Sequence, residues 1–147
     1  MNIPPGEAKE MNLREEIERY KAFAPYKNED AFQVATARFL DLLENNGWIG
    51  FYFSGTNIFR RGLAHNKTSA MRLGAKAKRM GSKAGVPDIL IYSHCIALEL
   101  KQPKGTVSPD QKAFMRKMES WGWSCSVVRS PEQVIELLEE GQVFPPF

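Results

Sequence analysis

Apolar and polar positions alternate along the chain with two different periods. Apolar residues spaced three and four apart predict amphipathic helices that begin near residues 12, 28, 108 and 131. Short runs rich in Ile, Leu, Val and aromatic residues lie between them and predict strands. In the main body of the chain the predicted order is helix, strand, hairpin, helix, strand, helix. This order is typical of an α/β domain with a small mixed sheet flanked by helices.

The first third of the chain carries two predicted helices and a strand. Asn12–Phe23 fits a short amphipathic helix, which either packs on the core or contacts a second subunit. Asn28 is a good N-cap and starts the next helix, which Gly47 ends. The run Trp48–Ser54 is aromatic and apolar, so we expect a largely buried strand there.

The last third predicts a helix, a strand and a further helix. Ser108 is a good N-cap, and the helix that follows it has a predicted core stripe of Phe114, Met118 and Trp121. Ser124–Val128 is the next predicted strand. Pro131–Glu140 is the last predicted helix, because Pro suits the first helical position.

Most of the candidate chemistry lies in the stretch Gly85–Gln111, GVPDILIYSHCIALELKQPKGTVSPDQ. It predicts two short strands, Asp88–Tyr92 and Ile96–Lys101, joined by a two-residue polar turn. With that turn, Asp88 faces Glu99 across the hairpin. Directly opposed residues point to the same face, and like charges placed so are destabilising.

A positive charge would offset this repulsion. Lys101 shares the face of Glu99 because strand side chains alternate with period two. A divalent cation held by both carboxylates, with the ammonium beside it, would complete the compensation. The alternative is a hairpin with an Asp at a strand start and an ordinary surface Glu-x-Lys pair. Against it, Glu99 sits in the apolar run IALEL, where a lone carboxylate is costly.

Composition limits the class of protein. The chain has 147 residues, of which 43% are hydrophobic and 25% charged, as in an ordinary single-domain globular protein. No apolar run approaches the roughly 18 residues that would span a membrane, and the N-terminus lacks a secretory-signal pattern. Cys95 and Cys125 show neither metal-ligand spacing nor a disulfide framework. We therefore expect a cytoplasmic protein without a membrane partner.

The charge is distributed unevenly, although the net charge is only +3. No acidic residue lies between Asn45 and Pro87, whereas eight basic residues do. These are Arg60, Arg61, Lys67, Arg72, Lys76, Lys78, Arg79 and Lys83. Part of this segment, Lys67–Met80, has a helix-compatible composition. Such a basic block is typical of nucleic-acid backbone binding, and the alternative is a solvated loop whose charges maintain solubility.

The hairpin and the start of the next helix share a motif pattern. Its parts are G-V-P-D at 85–88, E-L-K at 99–101, and Ser108 with Gln111 at the helix start. This pattern resembles the PD-(D/E)XK nuclease superfamily and, within it, the VRR-NUC family of small phage and bacterial nucleases. Glu29 in NEDAFQ fits the acidic position that the family has on an earlier helix. The resemblance covers roughly residues 29–140 and implies a restriction-endonuclease-like core.

The resemblance also implies a division of the chain. Residues 1–27 are an N-terminal extension with a short helix, and residues 28–141 are the VRR-NUC-like nuclease domain. That domain departs from the compact family pattern by a basic insertion at about 55–84. Residues 142–147 are an apolar tail that could dock on a surface or on an oligomer partner.

The family chemistry implied is metal-dependent hydrolysis of DNA with Mg²⁺ or Mn²⁺. The implied metal ligands are Asp88, Glu99, the carbonyl of Leu100 and, as a helper, Glu29. Lys101 would orient or deprotonate the attacking water or stabilise phosphate charge, and Gln111 would position water or substrate. A metal ion is expected because a single acid or base supplies only about 10²–10⁴ in rate, well below the total for phosphate-ester hydrolysis.

The resemblance favours a structure-specific endonuclease acting on branched DNA. Holliday-junction resolution by a homodimer is the leading expectation, because two symmetric cuts need two active sites. One alternative is a less selective DNA endonuclease. The other is a catalytically silent nucleic-acid-binding module that retains the nuclease fold.

Overall fold

The computed structural model describes residues 5–55 and 67–145. The helices are α1 (Pro5–Ala22), α2 (Glu29–Asn45), α3 (Lys67–Arg79), α4 (Pro109–Ser120) and α5 (Pro131–Glu140). The strands are β1 (Tyr52–Ser54), β2 (Ile89–Ile91), β3 (Ile96–Leu100) and β4 (Ser124–Val128). Within the described ranges, no helix is long and apolar enough to cross a membrane.

The strands form one small mixed sheet in the order β1-β2-β3-β4. β1 and β3 both pair antiparallel with β2, and β4 pairs parallel with β3. The predicted α/β class with a small mixed sheet flanked by helices is therefore confirmed. Ile89 faces Leu98, which is the register that the sequence predicts for the hairpin. The turn is longer than predicted, because a 3₁₀ turn at Tyr92–His94 is followed by Cys95 with a left-handed φ of 51°.

One face of the sheet packs against α1, α2 and α5 to form the main core. The strand residues buried there are Ile89, Ile91, Ile96, Leu98, Leu100 and Val128. α1 contributes Leu13, Ile17 and Tyr20 to the same cluster. The apolar face of α1 therefore packs on the core of its own chain, which decides between the two alternatives that the sequence left open.

The opposite face of the sheet is covered incompletely by α4, which packs beside β4. The predicted core stripe of this helix is wrong at Trp121, which is 82% exposed, whereas Met115 is buried. Trp121 is the C-cap residue of α4, and Gly122 then turns the chain with a φ of 89°. The side chain at a helix end no longer follows the stripe of the helix interior.

The prediction of a largely buried strand over Trp48–Ser54 is also wrong. Pairing starts at Tyr52, and both Phe51 and Phe53 are exposed. β1 is an edge strand, and Phe53 faces Leu90 on the side of the sheet that α4 does not fully cover. Aromatic composition predicted the strand correctly but not which of its faces has a packing partner.

Other local predictions are confirmed. Asn28 caps α2 by accepting a hydrogen bond from the Ala31 N–H, and Ser108 caps α4. β4 and α5 have the predicted bounds. In the apolar tail, Val143 and Phe144 are buried in the core of the same chain, while residues 146–147 lie outside the described ranges.

Candidate functional site

The hairpin register brings the two candidate carboxylates opposite each other. Since Ile89 faces Leu98 in an antiparallel pair, the next pair outward is Asp88 and Glu99. These two side chains share the face that carries Leu90 and Ala97, and they lie at the end of β2 where its ladder stops. The sheet itself therefore fixes the proximity of the two acids.

The Asp88 side chain takes the place of a backbone hydrogen-bond acceptor just beyond the end of the β2–β3 ladder. Its Oδ2 accepts a hydrogen bond of 2.9 Å from the backbone N–H of Leu100, beyond the last paired residue of β2. Its own carbonyl accepts from the N–H of Gly55 at 2.9 Å, which ties the end of β1 to the same point. The half-buried Asp88 carboxylate is thus held at the edge of the β2–β3 pair.

Glu99 is the most unusual residue of the site, because it is a carboxylate that is only 2% exposed. Its Oε1 accepts a hydrogen bond of 2.6 Å from Gln111 Nε2 and lies 3.6 Å from Lys101 Nζ. Its Oε2 is buried and has no hydrogen-bond partner among residues 5–55 and 67–145. A buried carboxylate oxygen without a partner is costly, so a cation bound at this oxygen would be stabilising.

The environment raises the pKa of Glu99 from its ordinary value near 4.5 to about 7. Burial is the main cause, and the negative charge of Asp88 is the second. Lys101 and the backbone N–H of Asp88 act in the opposite direction and lower the pKa. The two acids therefore repel each other more than Lys101 compensates, as the sequence predicts for the pair on its own.

Gln111 connects the site to α4. It forms a capping box with Ser108, in which Gln111 N–H donates to Ser108 Oγ at 3.2 Å and Gln111 Oε1 accepts from Ser108 N–H at 2.9 Å. Its side-chain nitrogen, Nε2, donates to Glu99 Oε1. The sequence predicted that Gln111 would contact water or substrate. The S-x-x-Q signal of the capping box could have shown how the residue is anchored, but not its bond to Glu99.

Gly85 allows the docking of α4 against the G-V-P-D segment. Its φ is 82°, and a Cβ there would lie 2.4 Å from the carbonyl oxygen of Asp110 and 2.8 Å from the nitrogen of Gln111. No side chain fits in this space. The glycine of the motif therefore controls the distance between the Asp88 segment and the helix that carries Gln111.

Glu29 lies in the first turn of α2 and faces a different part of the site region. A Cβ at Gly105 would lie 3.1 Å from Glu29 Oε1, so this carboxylate sits against the loop after β3. Arg129 holds that loop by donating to the carbonyls of Gln102 and Gly105, each at 2.7 Å. The metal-helper role of Glu29 stays a prediction.

Within the described residues, no group of three or more His, Cys, Asp or Glu side chains is arranged to hold a metal ion. The candidate donors at this point are instead the carboxylates of Asp88 and Glu99, with the carbonyl of Leu100 as the further ligand that the resemblance implies. Such a set fits Mg²⁺, which is commonly bound through one or two carboxylates and keeps several waters. The unpartnered Oε2 of Glu99 agrees with this fit.

The structure describes some, but not all, of the predicted basic residues. Arg60 and Arg61 lie outside the described residues, and so does the side chain of Lys67, whose backbone begins α3. The others are exposed, on α3 or just after it: Arg72, Lys76, Lys78, Arg79 and Lys83. Their contact with a nucleic acid stays a prediction.

Comparison of the chain with protein-family models, with curated proteins and with solved structures finds no match in any of the three.

Proposed function

We propose that this protein is a Mg²⁺- or Mn²⁺-dependent endonuclease that hydrolyses phosphodiester bonds in DNA. The observation that carries the proposal is the buried Glu99 carboxylate, which faces Asp88 and has one oxygen without a partner among the described residues. The G-V-P-D and E-L-K segments that form this pair support a restriction-endonuclease-like core. The sheet with helices on both faces is compatible with such a core.

The metal would be held by Asp88, Glu99 and the carbonyl of Leu100. When bound, a divalent ion supplies positive charge to the scissile phosphate and to the transition state. It would also offset both causes of the raised pKa of Glu99, the burial of the carboxylate and its repulsion by Asp88, because a shared cation stabilises two carboxylates at one site.

The side chains around the acids have separate tasks in this proposal. Gln111 is a positioning residue, because its hydrogen bond to Oε1 orients the Glu99 carboxylate and leaves Oε2 available. Lys101 is the catalytic cation. Its side chain is 13% exposed and lies 3.6 Å from Glu99, so it can hold the attacking water or stabilise phosphate charge in a partly dehydrated site.

A branched DNA is the proposed substrate, and a homodimer the proposed active form. The exposed cations of α3 give the protein a basic surface suited to the DNA backbone. Two symmetric cuts in a four-way junction require two active sites, which a two-fold dimer provides.

A cleavage assay on three substrates tests the proposal. A labelled four-way junction, a flap and a linear duplex are incubated with the protein in Mg²⁺, in Mn²⁺ and in EDTA, alongside Glu99→Gln. We expect metal-dependent cleavage of the junction that is lost in Glu99→Gln while DNA binding persists. Glu136→Gln, on the exposed side of α5, is the matched control and should cleave normally.

Two other outcomes are informative. Equal cleavage of all three substrates would retain the active site but contradict the specificity for branched DNA. Binding without cleavage in either metal would contradict the enzymatic proposal and favour a silent DNA-binding module.

A further inference from the structure

An exposed aromatic cluster lies on the same face of the sheet as the candidate active site. It consists of Phe51, Phe53, Tyr92 and Trp123. The rings of Phe51 and Phe53 stack on Tyr92 with centroid distances of 5.2 and 5.0 Å, and Trp123 contacts Tyr92 edge to face at 5.2 Å. Three of the four rings remain exposed: Phe51 by 52%, Phe53 by 42% and Tyr92 by 41%.

The register places this aromatic cluster beside the acids. Phe53 faces Leu90 across β1 and β2, and Leu90 is two residues from Asp88 on the same face. Two residues of a strand span about 7 Å. A DNA strand whose phosphate lies at Asp88 and Glu99 would therefore have a neighbouring base within reach of Phe53.

The composition of the sequence around β1 favours a nucleic-acid occupant. β1 lies within the segment from Asn45 to Pro87, which has no acidic residue and eight basic ones. Stacked aromatic rings present flat π-faces, and each nucleobase has a matching face. A surface that belonged to the apolar core would be covered by another helix or strand, as the opposite face of this sheet is.

The geometry points to a base-stacking site: the aromatic cluster binds an unpaired nucleobase next to the phosphate that a divalent ion at Asp88 and Glu99 would hold. The inference rests on the proposed function, because it takes DNA as the ligand, and it narrows the substrate class. Paired bases are stacked within the duplex, whereas bases at a flap or branch point can leave it. The cluster thus supplies a physical reason for selecting branched over fully paired DNA.

Equilibrium binding in Ca²⁺, which takes oxygen ligands as Mg²⁺ does, tests the inference on DNA that a gel shows to be uncut. The DNA is a flap with 2-aminopurine at successive unpaired positions near the branch, compared with the same flap carrying abasic sites there. We expect quenching of 2-aminopurine at one or two of these positions in the wild-type complex. Affinity for the abasic flap should fall about tenfold, within the usual range for loss of one stacked base.

Substitutions in the cluster separate stacking from general apolar contact. Phe53→Leu keeps an apolar side chain but removes the ring, and Phe53→Tyr keeps the ring. Phe53→Leu should lose about tenfold in affinity for the normal flap and nothing further for the abasic flap, whereas Phe53→Tyr should bind like wild type. Phe23→Ala is the control, because Phe23 is also an exposed phenylalanine but lies just after α1 and outside the aromatic cluster.

The inference is overturned if Phe53→Leu binds both flaps as the wild type does. It is also overturned if the wild type is a dimer in sedimentation analysis and Phe53→Leu is a monomer, since the cluster would then be a subunit interface. Quenching and abasic sensitivity in a protein that cuts no DNA would contradict the proposed nuclease activity and leave the stacking site intact.

Discussion

Alternate residues of the same strands build two faces of the sheet with different contents. Leu98 and Leu100 of β3 point toward α1, α2 and α5 and are fully buried among apolar side chains. Glu99, between them, points to the opposite face, where it meets Asp88 and Lys101. That second face also carries the exposed aromatic cluster. The closed face, toward α1, α2 and α5, fixes the strands in place, and the open face, opposite it, carries the two acids of the proposed metal site.

The comparison explains how a small domain can hold two acids close together. Their repulsion is opposed by apolar burial on the other side of the same strands, where neighbouring residues contribute roughly 1.5–3 kcal/mol each. The chain can therefore retain an unfavourable electrostatic arrangement that a metal ion would relieve. Each substitution below in the strands or at Lys101 alters one face and leaves the other unchanged.

The largest expected effect comes from the cation on the open face. Lys101→Met should reduce the rate of metal-dependent cleavage by about 10²–10⁴-fold, because it removes the positioned charge beside Glu99. Lys104→Met, an exposed lysine in the following loop, is the control. Single-turnover rates measure both variants, and equal rates would exclude a catalytic role for Lys101.

The closed face should control stability rather than chemistry. Leu98→Ala removes a fully buried side chain and should lower the free energy of unfolding by about 2–5 kcal/mol. Phe53→Ala, on the open face, should lower it by less than about 1 kcal/mol, since Phe53 is exposed. Urea denaturation in EDTA measures both. Similar losses in the two variants would contradict the division between the faces.

The pH dependence of stability tests the effect of burial and of the neighbouring Asp88 on the pKa of Glu99. The pKa of Glu99 is about 7 in the folded protein and near 4.5 when the residue is not perturbed. The folded state therefore binds the proton more tightly, and Glu99 lowers the stability of the metal-free protein progressively as pH rises from about 4.5 to 7.

Glu99→Gln removes this titration. In EDTA at pH 8 it should be more stable than the wild type, and the difference should shrink as the pH falls toward 4.5. Urea midpoints across this range provide the measurement, with Glu136→Gln as the exposed control. A wild type that is more stable than Glu99→Gln in EDTA at pH 8 would contradict the account of Glu99.

The smallest expected effect concerns the basic helix. Three exposed cations of α3 are replaced by Gln: Lys76, Lys78 and Arg79. The slope of log affinity against log salt should become shallower by about 0.9 for each phosphate that the variant no longer neutralises. The control replaces three exposed cations of α4: Lys112, Arg116 and Lys117. A slope in the α3 variant equal to that of the wild type would remove α3 from the proposed DNA interface.

Local signals in the sequence were sufficient for the hairpin. Alternating residues and a short polar turn predicted that Asp88 faces Glu99, and the observed register agrees. The length of the turn was not predicted, because Cys95 adopts a left-handed φ that non-glycine residues rarely take. The register is nevertheless the predicted one, because the longer turn takes one residue from each side of the hairpin.

Contacts that depend on how elements dock could not be predicted in the same way. The hydrogen bond from Gln111 to Glu99 requires α4 to pack closely against Gly85. The spacing of residues along the chain gives no information about that packing. The exposure of Phe51 and Phe53 depends on the absence of a covering element at the edge of the described sheet. Aromatic composition alone predicted burial there.

Metal binding to the isolated protein tests the central claim most directly. Isothermal titration with Mn²⁺ at pH 8 compares the wild type with Asp88→Asn and Glu99→Gln, and with Glu136→Gln as the exposed control. The account predicts a site that weakens at least tenfold in the first two variants and is unchanged in the third. Equal Mn²⁺ affinity in all four proteins would contradict the assignment of the acids on the open face as a metal site.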